Sequence, residues 1–273
     1  MEAKAERLGL WSSGAVVAVV LLLGVVAPFV AYDPASAVDY DQQLVGPSAA
    51  HWFGTDGQGR DVAIRLLKGI EAFFLPGLLA GLAATTLGAL AGAIACYGEG
   101  WVRSAVLGLM QLIDTLPRLV FIILVCTILN PSISLIAGVA AVLFVPNIAT
   151  VVRRKVEALA SEDYILAHIA HGFRPTRILL YHIIWLQCRP LLIRQATYVF
   201  GYVLFVETAL SYLGDYGVQE PTPSWGNMVA QTRELAGAAP WPWLFPALAI
   251  VITISGFLAF GNLLARREEE ALR

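Results

Sequence analysis

Six stretches of this chain are apolar for long enough to cross a bilayer, at about 10–31, 72–96, 105–129, 132–151, 190–213 and 244–264. No other feature restricts the fold as much. The interior of a membrane offers no partner to backbone amides and carbonyls, so a crossing segment must satisfy them itself, as a helix of roughly 20 mostly apolar residues does. Composition agrees: 58% of the residues are hydrophobic, 14% are charged, and the mean hydropathy is +0.71. These values lie outside the usual soluble range. The expected fold is all-α, a polytopic membrane protein of about six transmembrane helices. Lys4 and Arg7 before the first run, and Ala35-Ser36-Ala37 after it, resemble a cleavable signal. The run is long for a signal, and an even number of spans suits the charges better, so it is read as a retained helix.

Orientation follows from the basic residues of the connecting segments. With the N-terminus inside, the inner segments hold Lys4, Arg7, Arg103, Arg153, Arg154, Lys155, Arg174, Arg177, Arg266, Arg267 and Arg273. The outer ones hold Arg60, Arg65, Lys68 and Arg233, with Arg189 and Arg194 near the inner mouth of the fifth span. Both termini are therefore expected in the cytoplasm. Cys96, Cys126 and Cys188 fall in or beside spans and read as buried small side chains.

Two outer segments are unusually polar. One carries H-W-F-G-T-D-G-Q-G-R-D-V at 51–62, followed by Val62, Leu66 and Ile70 against Asp61, Arg65 and Lys68, the pattern of an amphipathic helix able to lie on the membrane surface. The other, S-Y-L-G-D-Y-G-V-Q-E-P-T-P-S-W-G-N-M at 211–228, is rich in turn residues. Its Trp225, with Trp241, Trp243, Tyr212 and Tyr216, suits an interfacial aromatic belt. The second span places Gly77, Gly81, Ala84, Gly88 and Gly92 on one face, where another helix can approach closely. Spacing leaves open whether that helix belongs to this chain.

Ionisable residues inside the spans are candidate functional groups. Gln111, Asp114 and Arg118 share one side of the third span, with Pro117 expected to loosen the helix there. Asp114 and Arg118 read either as a structural ion pair near the inner interface or as lining of a pathway. Glu207, late in the fifth span, has no basic residue within a turn and reads as functional or as a structural fixture bonded to the outer loop.

Residues 152–189 form the longest inner connection, with helical periodicity up to His171, Gly172 at a helix-ending position and Pro175 opening a second element. Such a protrusion suits insertion into a groove of another protein. His168 and His171 lie three apart, but no Cys accompanies them, and they read as surface or packing residues rather than metal ligands. The lysines are Lys4, Lys68 and Lys155, and none follows a glycine run of the kind that cradles phosphates.

These residues together resemble the inner-membrane permease subunits of ATP-binding-cassette importers of the dipeptide, oligopeptide and nickel group, specifically the second of the two permeases. The segment 51–62 is similar to the family's outer G-T-D-x-x-G-R-D motif through Gly54, Thr55, Asp56, Gly59, Arg60 and Asp61. E-T-A-L-S-Y-L-G-D-Y-G-V-Q-E-P-T-P-S-W-G-N-M at 207–228, with Ser224, Trp225 and Gly226, looks like the signature after the fifth span. The resemblance implies the type I importer permease fold in a bacterial inner membrane: 1–70 as an N-terminal span and extracytoplasmic segment, 71–265 as the permease core, and 266–273 as a cytoplasmic tail. It also implies a sister permease, two cytoplasmic ATP-binding subunits that hold ATP and Mg, so that no cofactor sits on this chain, and an extracytoplasmic substrate-binding protein. The loop 152–189 takes the place of the ATPase-docking loop, with Glu162, Asp163, Tyr164, Ala167, His168, Gly172, Arg174 and Arg177 as its coupling residues. Where the family reads E-A-A, this chain has Leu166, Ala167 and His168. Di- or oligopeptides are the implied cargo, with nickel or another small solute as the alternative. Two other classes compete: a membrane scaffold uncoupled from transport, and an intramembrane enzyme using Glu207 or Asp114, for which the sequence offers no paired catalytic motif.

Overall fold

The structure, a computed structural model, describes residues 2–34, 37–129, 131–159, 162, 171–174, 177–214 and 216–271. Helix α1 (Glu2–Val26) leads through the short turn Ala27–Phe29 into an irregular segment, and α2 (Val62–Tyr97) follows. Then come α3 (Gly100–Asp114), α4 (Arg118–Ile128) and α5 (Ile133–Leu159). A π-helical stretch, Ile178–Gln187, precedes α6 (Arg189–Leu213), α7 (Trp225–Thr232) and α8 (Trp241–Ala271). Among the described residues, five helices are long and apolar enough to cross a membrane, and a sixth span results if α3 and α4 count as one broken helix.

Helix α2 is the hub, packed most extensively on α5 and then on α6. Its small residues are the reason. A Cβ on Gly88 would lie 2.6 Å from Ile148, one on Gly92 2.7 Å from the Ala149 carbonyl oxygen, and one on Gly81 2.9 Å from that of Ala196. The partner of the glycine face is thus this chain's own α5 and α6. Close backbone approach of this kind is how helices associate where lipid removes the hydrophobic drive. Around it, Ile136, Phe144, Ile148 and Val203 fill one core, while Phe73, Phe200, Trp225 and Phe257 fill another.

The surface helix expected after Gly59 is instead the opening of α2, continuous with the second span. Asp61 caps it, its Oδ1 accepting from the Ile64 amide at 3.0 Å. The reason for the difference is Arg65, which is buried against two carboxylates rather than turned to water. The third span is broken outright. Pro117 lacks an amide hydrogen and disfavours helix at the residue before it, so α3 stops at Asp114, α4 restarts at Arg118, and the two axes differ by 85°.

Two regions carry the polar segments singled out in the sequence. The clasp end carries 51–62 and 217–231; the elbow end carries the connection between α5 and α6. At the elbow, the helix expected to reach His171 is seen as far as Leu159, and its continuation lies outside the described residues. Gly172 has φ +76°, in the left-handed region open to glycine at a helix end. Arg189 pairs with Glu268, its Nε donating to Oε2 at 2.8 Å, and this ties α6 to the end of α8.

Candidate functional site

The two polar motifs, far apart in sequence, form one ion cluster at the clasp end. Asp56 Oδ1 accepts the amides of Gln58 and Arg60 at 2.8 and 3.0 Å. Its Oδ2 accepts Arg60 Nε at 2.8 Å and also pairs with Arg65 Nη1. Glu220 completes the square: Oε2 accepts Arg60 Nη1 at 3.0 Å, and Oε1 accepts Arg65 Nη2 at 2.8 Å and Gln231 Nε2 at 2.7 Å. The side chains of Asp56, Arg60 and Arg65 are 4%, 5% and 1% exposed, so two buried guanidinium charges are balanced by two carboxylates. Burial alone would raise the Asp56 carboxyl, but the Arg65 and Arg60 charges and the two amides more than offset it and hold it below the ordinary carboxylate value.

Glycine makes the loop possible. Gly54 and Gly59 have φ +72° and +74°, and a Cβ on Gly59 would overlap the Asp39 carbonyl oxygen. Thr55 Oγ1 donates to the Gln42 carbonyl at 2.5 Å and accepts the Val45 amide at 2.8 Å. Asp61 Oδ2 meets His51 Nδ1 at 2.8 Å.

The opposing loop is locked by Ser224-Trp225-Gly226-Asn227. Ser224 and Asn227 cap α7 reciprocally, each side-chain oxygen accepting the other's amide at 3.0 Å. Trp225 does not belong to an interfacial belt: it is 3% exposed, and its Nε1 donates to the Leu66 carbonyl at 2.7 Å. Trp241 Nε1 likewise donates to the Thr55 carbonyl at 3.0 Å. Beneath the loop, Glu207 is fully buried, and its Oε1 accepts the Ser211 hydroxyl at 2.8 Å. Its Oε2 faces Gly226, where a Cβ would stand 2.9 Å away. That oxygen has no partner at hydrogen-bonding geometry among the described residues.

A different site lies midway along the bundle. At the α3–α4 break, Arg118 Nη2 stands 4.0 Å from Asp114 Oδ1, with the two side chains 29% and 63% exposed. The Arg118 guanidinium lies over the Phe144 ring, 4.3 Å from its centroid, and that ring meets Tyr198 and Tyr202 edge-on at 5.5 and 4.9 Å. Phe144 falls midway between the start of α5 at Ile133 and its first basic residue, Arg153. A charge held in hydrocarbon there costs at least about 2.5–3.5 kcal/mol, which disfavours a lipid-facing position for this pair.

At the elbow, a cavity of about 750 Å³ is lined by residues including His171, Gly172, Arg174 and Arg177. Arg177 lies over the Phe173 ring, 5.3 Å from its centroid. Of the other coupling candidates Glu162 is described, while Asp163, Tyr164, Ala167 and His168 lie outside the described residues. Among the described residues no group of three or more His, Cys, Asp or Glu is placed to hold a metal.

Sequence reasoning missed Arg65, Glu220 and Gln231 in the clasp, and Phe144, Tyr198 and Tyr202 around Arg118. One signal was available: Arg60 and Arg65 bordering an apolar helix need more acid than Asp56 supplies, and Glu220 lies in the loop that topology brings to the same end.

Residues 84–270 match the family described as binding-protein-dependent transport system inner membrane component. The chain is 33% identical to the dipeptide transport system permease protein DppC of Alkalihalophilus pseudofirmus, covering 89% of this chain and 79% of that one. It is 29% identical to the probable D,D-dipeptide transport system permease protein DdpC of Escherichia coli, covering 92% and 84%. It is also 29% identical to the glutathione transport system permease protein GsiD of Pectobacterium atrosepticum, covering 85% and 76%. The chain belongs to the binding-protein-dependent transport inner-membrane family, as a multi-pass permease component of an ATP-binding-cassette importer of type I fold.

Proposed function

We propose that this chain forms half of the translocation pathway of an importer for di- or oligopeptides, beside a sister permease, and catalyses no covalent step itself. The observation that carries the reading is the charged, aromatic face at the α3–α4 break, which only water, cargo or another protein can cover. The relatives named for dipeptide, D,D-dipeptide and glutathione transport support a peptide cargo.

In this reading the clasp end faces outward and receives cargo from a substrate-binding protein, and both termini lie in the cytoplasm. The elbow is gripped by one of two ATPase subunits, which bind ATP and Mg. Arg174, Arg177 and Glu162 supply charged contacts, and Gly172 permits the sharp turn. Closure of the ATPases then rotates α5 and α6, which the elbow joins, and exposes the pathway to each side in turn. The test is purification in mild detergent and a variant. The chain should copurify with ATPase subunits, and Gly172→Ile should lower cargo-stimulated ATP hydrolysis with little effect on membrane insertion. Purification alone, or unchanged stimulation in the variant, would refute the coupling.

A further inference from the structure

We propose that Asp114 and Arg118 form a transient site in the pathway for the free ends of a zwitterionic peptide, Arg118 taking the carboxylate and Asp114 the ammonium group. This rests on the peptide-importer reading above. The pair is poorly explained as a structural bridge. It makes one contact at 4.0 Å, the edge of ion-pair distance, whereas the clasp arginines each make several closer ones. Each charge also stands at the less favourable end of its helix. Asp114 is the last residue of α3, where the dipole favours a cation, and Arg118 opens α4, where it favours an anion. A bridge kept for stability would be expected the other way round.

The surroundings fit a ligand that passes through. Asp114 is mostly exposed, Gln111 one turn before it is exposed too, and Tyr198 is 43% exposed. Phe144 packs on the Arg118 guanidinium at 4.3 Å, and the N–H edge of a guanidinium forms the paired hydrogen bonds a carboxylate accepts. Tyr198 and Tyr202 beside that ring give an amphipathic wall able to hold varied side chains without selecting one. An extended dipeptide is about 7 Å long, a span the two side chains reach by parting from each other. The site would hold cargo while its mouths exchange, and the Asp114–Arg118 contact would re-form on release, so that neither charge is stranded when the pathway is empty.

The test uses the complete importer in proteoliposomes with its binding protein, comparing a dipeptide with free ends against its C-amidated and N-acetylated forms. Arg118→Gln should lower uptake of the free dipeptide about tenfold while changing uptake of the amidated form less than about twofold. Asp114→Asn should do the same for the free dipeptide against the N-acetylated form, and Arg118→Lys should restore part of the loss. Equal losses for all three peptides would overturn the proposal in favour of a structural bridge. No loss for any of them would also overturn it, leaving a face sealed by the sister permease. If the unmodified importer carries none of these peptides, the cargo reading itself fails and takes the proposal with it; preserved wild-type uptake keeps the two failures apart.

Discussion

The clasp and the midspan pair use the same chemistry, arginine against carboxylate, to opposite ends. In the clasp, Asp56, Arg60 and Arg65 are almost wholly buried, every carboxylate oxygen accepts at least one hydrogen bond, and the members come from both polar motifs. At the break, Asp114 and Arg118 meet once, at 4.0 Å, with Asp114 mostly exposed and Arg118 partly so. Burying charge is costly unless it is fully paired, and removing one member of a paired set then costs more than the set ever contributed. An exposed pair contributes little and can exchange partners cheaply. The clasp is therefore tightly held together, while the pair at the break is only loosely joined.

That contrast breaks most readily at Asp56. Asp56→Ala leaves two buried guanidinium groups to a single Glu220 and should destabilise the chain by about 3–5 kcal/mol, read as a lowered thermal unfolding midpoint of the purified complex. Asp114→Asn in the same assay should cost under about 1 kcal/mol. Similar shifts for the two variants would dissolve the distinction. Gly88→Val should fall between them, at about 1–3 kcal/mol, because its Cβ would meet Ile148 at 2.6 Å and force α2 and α5 apart.

Acid sharpens the comparison by a smaller amount. The Asp56 carboxyl lies below its ordinary value of 3.8, so its stabilisation is complete above that value and is lost as pH falls through the lower folded one. The stability gap between wild type and Asp56→Ala should hold steady from about pH 8 to pH 5 and narrow below about pH 4. A gap that closes near neutral pH would mean that Asp56 is not held by the arginines.

The spans were legible because a bilayer demands long apolar helices, and a weak point at Pro117 was legible because proline removes an amide, but the outright break and its 85° bend were not. The partner of the glycine face was not, since small residues announce close packing without naming what approaches. Arg65 was misread as a solvent-facing residue because helical periodicity treats any charge as exposed, and only the fold supplies Glu220 to neutralise it. Arg118 over Phe144 was equally hidden, as the two lie on separate helices whose meeting depends on the 85° bend. The clasp motif itself stood out, yet its role as a tie to the 217–231 loop came from geometry.

The most direct measurement is solvent access at position 114 in the working complex. In a chain with Cys96, Cys126 and Cys188 replaced, an Asp114→Cys variant should react with a water-soluble thiol reagent at a rate that changes when ATP closes the ATPase subunits, while Glu207→Cys beneath the clasp should stay unreactive. An Asp114→Cys variant that never reacts, or reacts at one rate in every nucleotide state, would contradict the account.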